Sequence, residues 1–197
     1  MKVLKKPVPK FINLTHCFGG ITFLLFGVQV ISGILLAIYY KATPDKAYES
    51  VQYIVNEVPM GWLIRQVHAW GANLMIIAVM LHTFRILWHR AYRPPREFNW
   101  VVGSFLLFAT MAFGFSGYLL PWDQLSYWAT TVGTEMASSV PVIGPHLLTF
   151  MRGGATVDAP TLTRFYALHV LVLPVTTMAL LGLHFLMVRR LGVAKPL

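Results

Sequence analysis

Four histidines sit inside long apolar stretches: His68 and His82, 14 residues apart, and His169 and His184, 15 apart. Ionisable side chains are costly in such surroundings and usually mark function. At 100° per residue, 14 steps return to within about 40° of the starting direction and 15 steps to within about 60°. Each helix therefore shows both of its histidines on much the same face, roughly 21–23 Å apart along the axis. Imidazole binds iron, and a haem iron takes one axial ligand on each side. Two His–His pairs at two depths thus predict two stacked haems. A haem is large and planar, so the backbone beside it must be slim. Gly19 and Gly33, and again Gly103 and Gly117, recur at an interval of 14, the histidine period. A single intramembrane histidine is often a hydrogen-bonding core residue; four in matched pairs with glycines at the same period argue against that reading. Zinc is disfavoured, because the two levels are too far apart to share a metal and no carboxylate completes either pair. His16, His89 and His146 fall at span ends or in loops and read as surface residues.

The elements that must position these groups follow from composition. The 197 residues are 56% hydrophobic and 12% charged, with a mean hydropathy of +0.62, the profile of a membrane protein. About 20 apolar residues cross the hydrocarbon core. Four stretches qualify, at residues 14–40, 62–88, 100–120 and 162–188, giving an all-α bundle of four transmembrane helices in a single domain over 1–197. The second and fourth spans run in the same direction. His68 therefore pairs with His169 at one depth and His82 with His184 at the other, each pair able to hold one haem between those two helices. Pro121 stops the third span and Pro174 is expected to kink the fourth. The segment 122–161 is too long for a plain connection and predicts short helices on the membrane surface. The acidic stretch from Asp45 to Glu57 reads as a solvated loop. The basic opening Met1 to Lys10 lacks a cleavage site, so no signal peptide is expected.

Charge sets the orientation. Eleven bases (Lys2, Lys5, Lys6, Lys10, Arg85, Arg90, Arg93, Arg96, Arg189, Arg190 and Lys195) share one side with one acid, Glu97. The other side has Lys41, Lys46, Arg65, Arg152 and Arg164 facing six acids. The positive-inside rule places both termini and the connection between the second and third spans in the cytoplasm or its topological equivalent. The net charge of +9 then belongs to membrane topology, and no nucleic-acid partner is expected. The single cysteine, Cys17, excludes an internal disulfide; taken alone it reads as a small buried hydrophobe. Arg65 and Arg85 read either as interfacial anchors or as partners for haem carboxylates, and Arg189 equally as either.

Several segments carry a family resemblance. They are Phe-Gly-Gly-Ile-Thr at 18–22, Gln29 with Gly33, Arg65 three residues before His68, and Leu-His-Thr-Phe-Arg at 81–85. Further on come Arg-Pro-Pro-Arg-Glu at 93–97, Gly-Tyr-Leu-Leu-Pro-Trp-Asp-Gln at 117–124, Pro-Val-Ile-Gly at 141–144 and Leu-Thr-Arg-Phe-Tyr at 162–166. With the histidine pattern they resemble the cytochrome b family over nearly the whole chain, in its short b6 form. The 15-residue interval matches that form; the longer mitochondrial form has an interval one shorter.

The resemblance implies a subunit of a quinol:cytochrome c or quinol:plastocyanin-type oxidoreductase in a bacterial or thylakoid-type membrane. In such a complex quinol is oxidised near the outer surface. One electron goes to a Rieske iron–sulfur protein and on to a c-type cytochrome. The other crosses by the outer haem b (His68, His169) and the inner haem b (His82, His184) to an inner quinone site. It also implies that Arg65 and Arg85 pair with haem propionates, that Cys17 tethers a third haem, of c type, by one thioether, and that the complex is a homodimer. The Pro-Glu-Trp-Tyr motif of the quinol-oxidising site is absent from the sequence, which the resemblance assigns to a partner resembling subunit IV. The chain alone is expected to be catalytically incomplete, and the tail before the first span is shorter than the family's amphipathic surface helix. The competing functions are a dihaem membrane anchor of a hydrogenase or formate dehydrogenase, and a transporter or channel. The Pro-Trp-Asp-Gln segment and the paired glycines speak against the first. The second would need polar residues spread along a path, whereas these spans are polar mainly at the histidines.

Overall fold

The computed structural model describes residues 14–194, and all regular structure among them is helical. The tail that bears Lys2 to Lys10 and the terminal Lys195 lie outside the described residues. Four helical stretches are long and apolar enough to cross a membrane: Leu14–Ala37, Gly61–Trp88, Glu97–Leu119 and Ala159–Leu191. They coincide with the four expected spans to within a few residues. Their outward side chains are apolar, with Leu24, Ile31 and Phe108 each about two-thirds or more exposed. That is the surface of a helix whose solvent is lipid.

A short 3-10 turn at Leu14–Cys17 leads into α1 (Phe18–Ala37), and α2 (Ala47–Asn56) follows. The second span is α3 (Gly61–Trp88) and the third is α4 (Glu97–Leu119). Then come α5 (Gln124–Ser138), α6 (Gly144–Arg152) and α7 (Ala159–Ala167), a π turn at Leu168–Val172, and α8 (Leu173–Leu191). α1 packs along α3, and α4 along α8. The backbones of α3 and α8 scarcely approach each other, which leaves a slot between the two helices that carry the histidines.

The connection 122–161 folds into helices too short to span, as its length requires. Asp123 caps α5 by accepting from the Ser126 backbone N–H at 2.8 Å. Asp158 and Thr161 form a capping box at the start of α7, satisfying donors that a helix start leaves free. One expectation is corrected. The stretch from Asp45 to Glu57 contains α2, which buries Ala47, Ser50 and Ile54 against the bundle. Apolar residues at 47, 51, 54 and 55 give it one packing face, and its one acid, Glu49, is exposed, as are Asp45 and Glu57 at its flanks.

Pro174 follows closely on a π turn. A proline inside a helix removes one donor and crowds the carbonyl one turn back. The π turn at Leu168–Val172 lies just before Pro174, where its wider winding relieves the crowding on the preceding turn. The π turn also takes up one residue. The 15-residue interval from His169 to His184 thereby acts rotationally like the 14-residue interval from His68 to His82.

Candidate functional site

Each histidine ring rests against a glycine of the neighbouring helix. A Cβ built on Gly33 would lie 3.2 Å from His68 Cε1, and one on Gly19 would lie 3.0 Å from His82 Cε1. On the other half of the bundle, a Cβ on Gly117 would lie 2.6 Å from His169 Cε1, and one on Gly103 would lie 3.4 Å from His184 Cε1. The four glycines named from sequence therefore meet the four histidines one to one, α1 serving α3 and α4 serving α8. In this structure the group that each glycine leaves room for is an imidazole ring.

At one end of the slot, His68 and His169 face each other with ring centroids 6.3 Å apart and planes at 72°. Bonds of about 2 Å from each imidazole nitrogen to one metal ion, plus roughly 1 Å from each nitrogen to its ring centre, span about 6 Å. The spacing fits a single metal held from both sides. His82 and His184 lie within electrostatic reach of each other at the opposite end. Among the described residues no three or more His, Cys, Asp or Glu come close enough to share an ion.

The Nδ1 side of each ring turns toward the glycine-bearing helix. The Gln29, Phe113 and Asn99 carbonyls, each four residues before a glycine, approach His68, His169 and His184 respectively. Two serines add to this at one end only. Ser32 Oγ lies 2.9 Å from His68 Nδ1, and Ser116 Oγ lies 3.0 Å from His169 Nδ1. At the other end His82 Nδ1 and His184 Nδ1 complete no hydrogen bond; the Asn99 carbonyl approaches His184 without the geometry of one.

The two ends differ in their surroundings as well. Around His68 and His169 the loops and short helices close over the slot. Ala47, Leu119, Leu162 and Phe165 form a buried cluster, flanked by Tyr40 and Trp122. Tyr40 donates to the Leu120 carbonyl at 2.6 Å and stacks on Tyr166 with centroids 5.5 Å apart; burial, and the neighbouring Tyr166, push its phenol well above the ordinary tyrosine range. Arg152, 3% exposed, donates to Thr134 Oγ1 at 2.8 Å and to the Thr131 and Ala155 carbonyls at 2.9 Å each. It also pairs with Glu135 at 2.9 Å. This guanidinium ties α6 to α5 and to the α6–α7 connection, and the Arg152 carbonyl accepts from Thr161 Oγ1 of α7 at 2.8 Å.

Around His82 and His184, by contrast, buried polar atoms collect without partners: Arg85 Nε, His89 Nδ1, Arg96 Nε and Asn99 Oδ1. Arg85 itself is 8% exposed. Asn99 Oδ1 only accepts, but the two arginine Nε–H groups are donors that call for an acceptor, and an anionic group suits them. Arg65 is half-buried beside Tyr48, Gln66 and Asp123, at the rim of a small cavity at the capped end. Cys17 is exposed at the head of α1, two residues before Gly19, and so lies at the uncapped end, with His82. Sequence reasoning missed Ser32, Ser116 and Arg152. Their signals were a Ser-Gly step before each of two glycines and an arginine between two apolar loop segments.

Comparison with known proteins gives a consistent answer. Residues 3–192 match the family model described as Cytochrome b/b6/petB. The chain is 47% identical to "Cytochrome b6" of Heliobacterium modesticaldum over 196 residues, which is 99% of this chain and 92% of that protein. It is 45% identical to "Cytochrome b6" of Gloeobacter violaceus over 195 residues, 99% of this chain and 91% of the other. Among solved structures it superposes on a chain of a "Hyperthermophilic respiratory Complex III" with a TM-score of 0.93 and 37% identity. That superposition covers 99% of this chain and 52% of the other, so this chain spans about half the length of that structural relative.

Proposed function

Because this chain belongs to the cytochrome b/b6 family, we propose that it is the dihaem subunit of a quinol oxidoreductase complex, with His68 and His169 holding the outer haem b iron and His82 and His184 the inner one. The observation that carries this reading is the slot between α3 and α8, with a histidine pair at each end and every ring seated on a glycine. When bound, the two haem irons supply one-electron levels at two depths, the chemistry by which an electron from quinol crosses the membrane.

The chain's own contribution is positioning. The glycine contacts fix each imidazole, and the apolar spans exclude water and keep ions from the slot. Arg85, buried and with an unpartnered Nε, is placed to meet a carboxylate beside the inner pair; Arg65, half-buried and within electrostatic reach of His68, would meet one beside the outer pair. Cys17, close in sequence to the glycine under His82, is suitably located to tether a third haem, of c type, by a thioether beside an inner quinone site. The charge distribution supports both termini facing the cytoplasm or stroma. A partner resembling subunit IV with its Pro-Glu-Trp-Tyr motif, a Rieske protein, a c-type cytochrome and a second copy of the complex complete the assembly.

The test is spectroscopic. A reduced-minus-oxidised spectrum of the purified complex should show two b-type components, and His82→Ala or His184→Ala should remove one while keeping the other. Retention of both haems in either variant would defeat the ligand assignment. Acid–acetone extraction should leave covalent haem on the wild-type chain and none on Cys17→Ala; complete extraction from the wild type reduces the count to two.

A further inference from the structure

The two ends of the slot share a glycine under each histidine, yet only one end adds a hydroxyl. Ser32 Oγ stands 2.7 Å from the Val28 carbonyl, and Ser116 Oγ stands 2.6 Å from the Ala112 carbonyl. A carbonyl only accepts, so each hydroxyl proton is committed to its own helix. Toward histidine each Oγ is then left as an acceptor, at 2.9 Å from His68 Nδ1 and 3.0 Å from His169 Nδ1. It follows that Nδ1 carries the proton in both rings and the Nε2 lone pair is free for a metal, an assignment made from the hydrogen-bond network. The residues in the same place before Gly19 and Gly103 are Phe18 and Val102, which offer no acceptor.

An imidazole that donates from Nδ1 is a more basic ligand at Nε2. A more basic pair favours the ferric state and lowers the midpoint potential. We propose that Ser32 and Ser116 are positioning residues that lock the tautomer of the outer histidines and lower the potential of the outer centre. This rests on the haem reading above.

The experiment is a potentiometric titration of the two b-type components in the purified complex. Ser32→Ala and Ser116→Ala should each raise the outer midpoint by a threefold to tenfold change in redox equilibrium, about 30–60 mV for a one-electron couple, and leave the inner midpoint in place. Ser32→Thr, which keeps the hydroxyl, should restore the wild-type value. Ser104 is the control: it bonds its own helix at the Trp100 carbonyl, 3.0 Å away, and touches no histidine, so Ser104→Ala should move neither component. Should an alanine variant lose the outer haem, Ser32→Cys, a weaker acceptor of similar size, should show a smaller upward shift. An unmoved outer potential, or an equal shift at both levels, overturns the inference. The haem reading is separable, because it stands or falls with His82→Ala and His169→Ala, which remove one component each whatever the serines do.

Discussion

The two halves of the slot are built to one plan and finished differently. At the His68/His169 end the protein supplies most partners itself, although Gln29 Nε2 is buried without one. Serines meet the rings, Tyr40 ties α1 to the end of α4, and Arg152 welds the short helices into a cap. At the His82/His184 end the protein leaves buried donors and acceptors open, on Arg85, His89, Arg96 and Asn99. The first end is organised mainly by side-chain contacts within the chain; the second keeps several buried polar atoms without a partner from the chain.

The strongest way to break this comparison is at the glycines. In Gly117→Ala the new methyl would lie 2.6 Å from the His169 ring, which the preassembled end has no slack to accept, so the outer haem should be lost and the inner one kept. In Gly103→Ala the nearest ring atom is 3.4 Å away, ordinary contact, and both haems should remain, with helix propensity improved by up to about 1 kcal/mol. Haem-to-protein ratios of the two variants check the order; equal losses would mean that the two α4 glycines are equally tight against their histidines. Arg152→Ala comes next. It strands Thr134 and two carbonyls in the cap, at a cost of about 2–4 kcal/mol, and the outer spectral component should disappear at a lower temperature than the inner one.

Arg85→Gln tests the open end. Removing a buried positive charge beside the inner centre should lower its midpoint potential while the outer stays put; a redox titration reads both at once. The smallest effect is expected from Tyr40→Phe, which deletes one buried hydrogen bond worth about 1 kcal/mol. It also has a pH signature. Burial and Tyr166 raise the Tyr40 phenol above its unfolded value, so the stability it contributes is full below about pH 10 and falls as the pH climbs toward the folded value. Alkaline melting curves of the wild type should therefore drop more steeply than those of Tyr40→Phe.

The spans, the four histidines and their glycines were legible because a bilayer allows few polar or backbone-slim positions, and those present announce themselves by spacing. α2 was missed because its acids drew attention from the apolar positions that pack it. Ser32 and Ser116 were missed because a serine in an apolar helix ordinarily bonds its own backbone, and both do; the second bond, across to a histidine, exists only once α1 lies on α3 and α4 on α8. Arg152 was counted as one of five outer charges. Its burial depends on α5, α6 and α7 folding back on one another, which no local pattern states.

The π turn at Leu168–Val172 has a consequence for how this fold tolerates insertions and deletions. In an ordinary helix, losing one residue swings everything beyond it by about 100°, enough to point a ligand at lipid. Here the wide turn holds a spare residue next to His169, in a place where the helix can shed it and close to regular α geometry. A one-residue deletion within 168–172, downstream of His169, should therefore leave both haems bound, whereas the same deletion in the regular helix at 70–80 should cost one of them. Length in the fourth span is thus free to drift by one without a change of phase. The one-residue difference from the longer mitochondrial form then becomes a local edit in winding, and the two histidine depths stay in register through it.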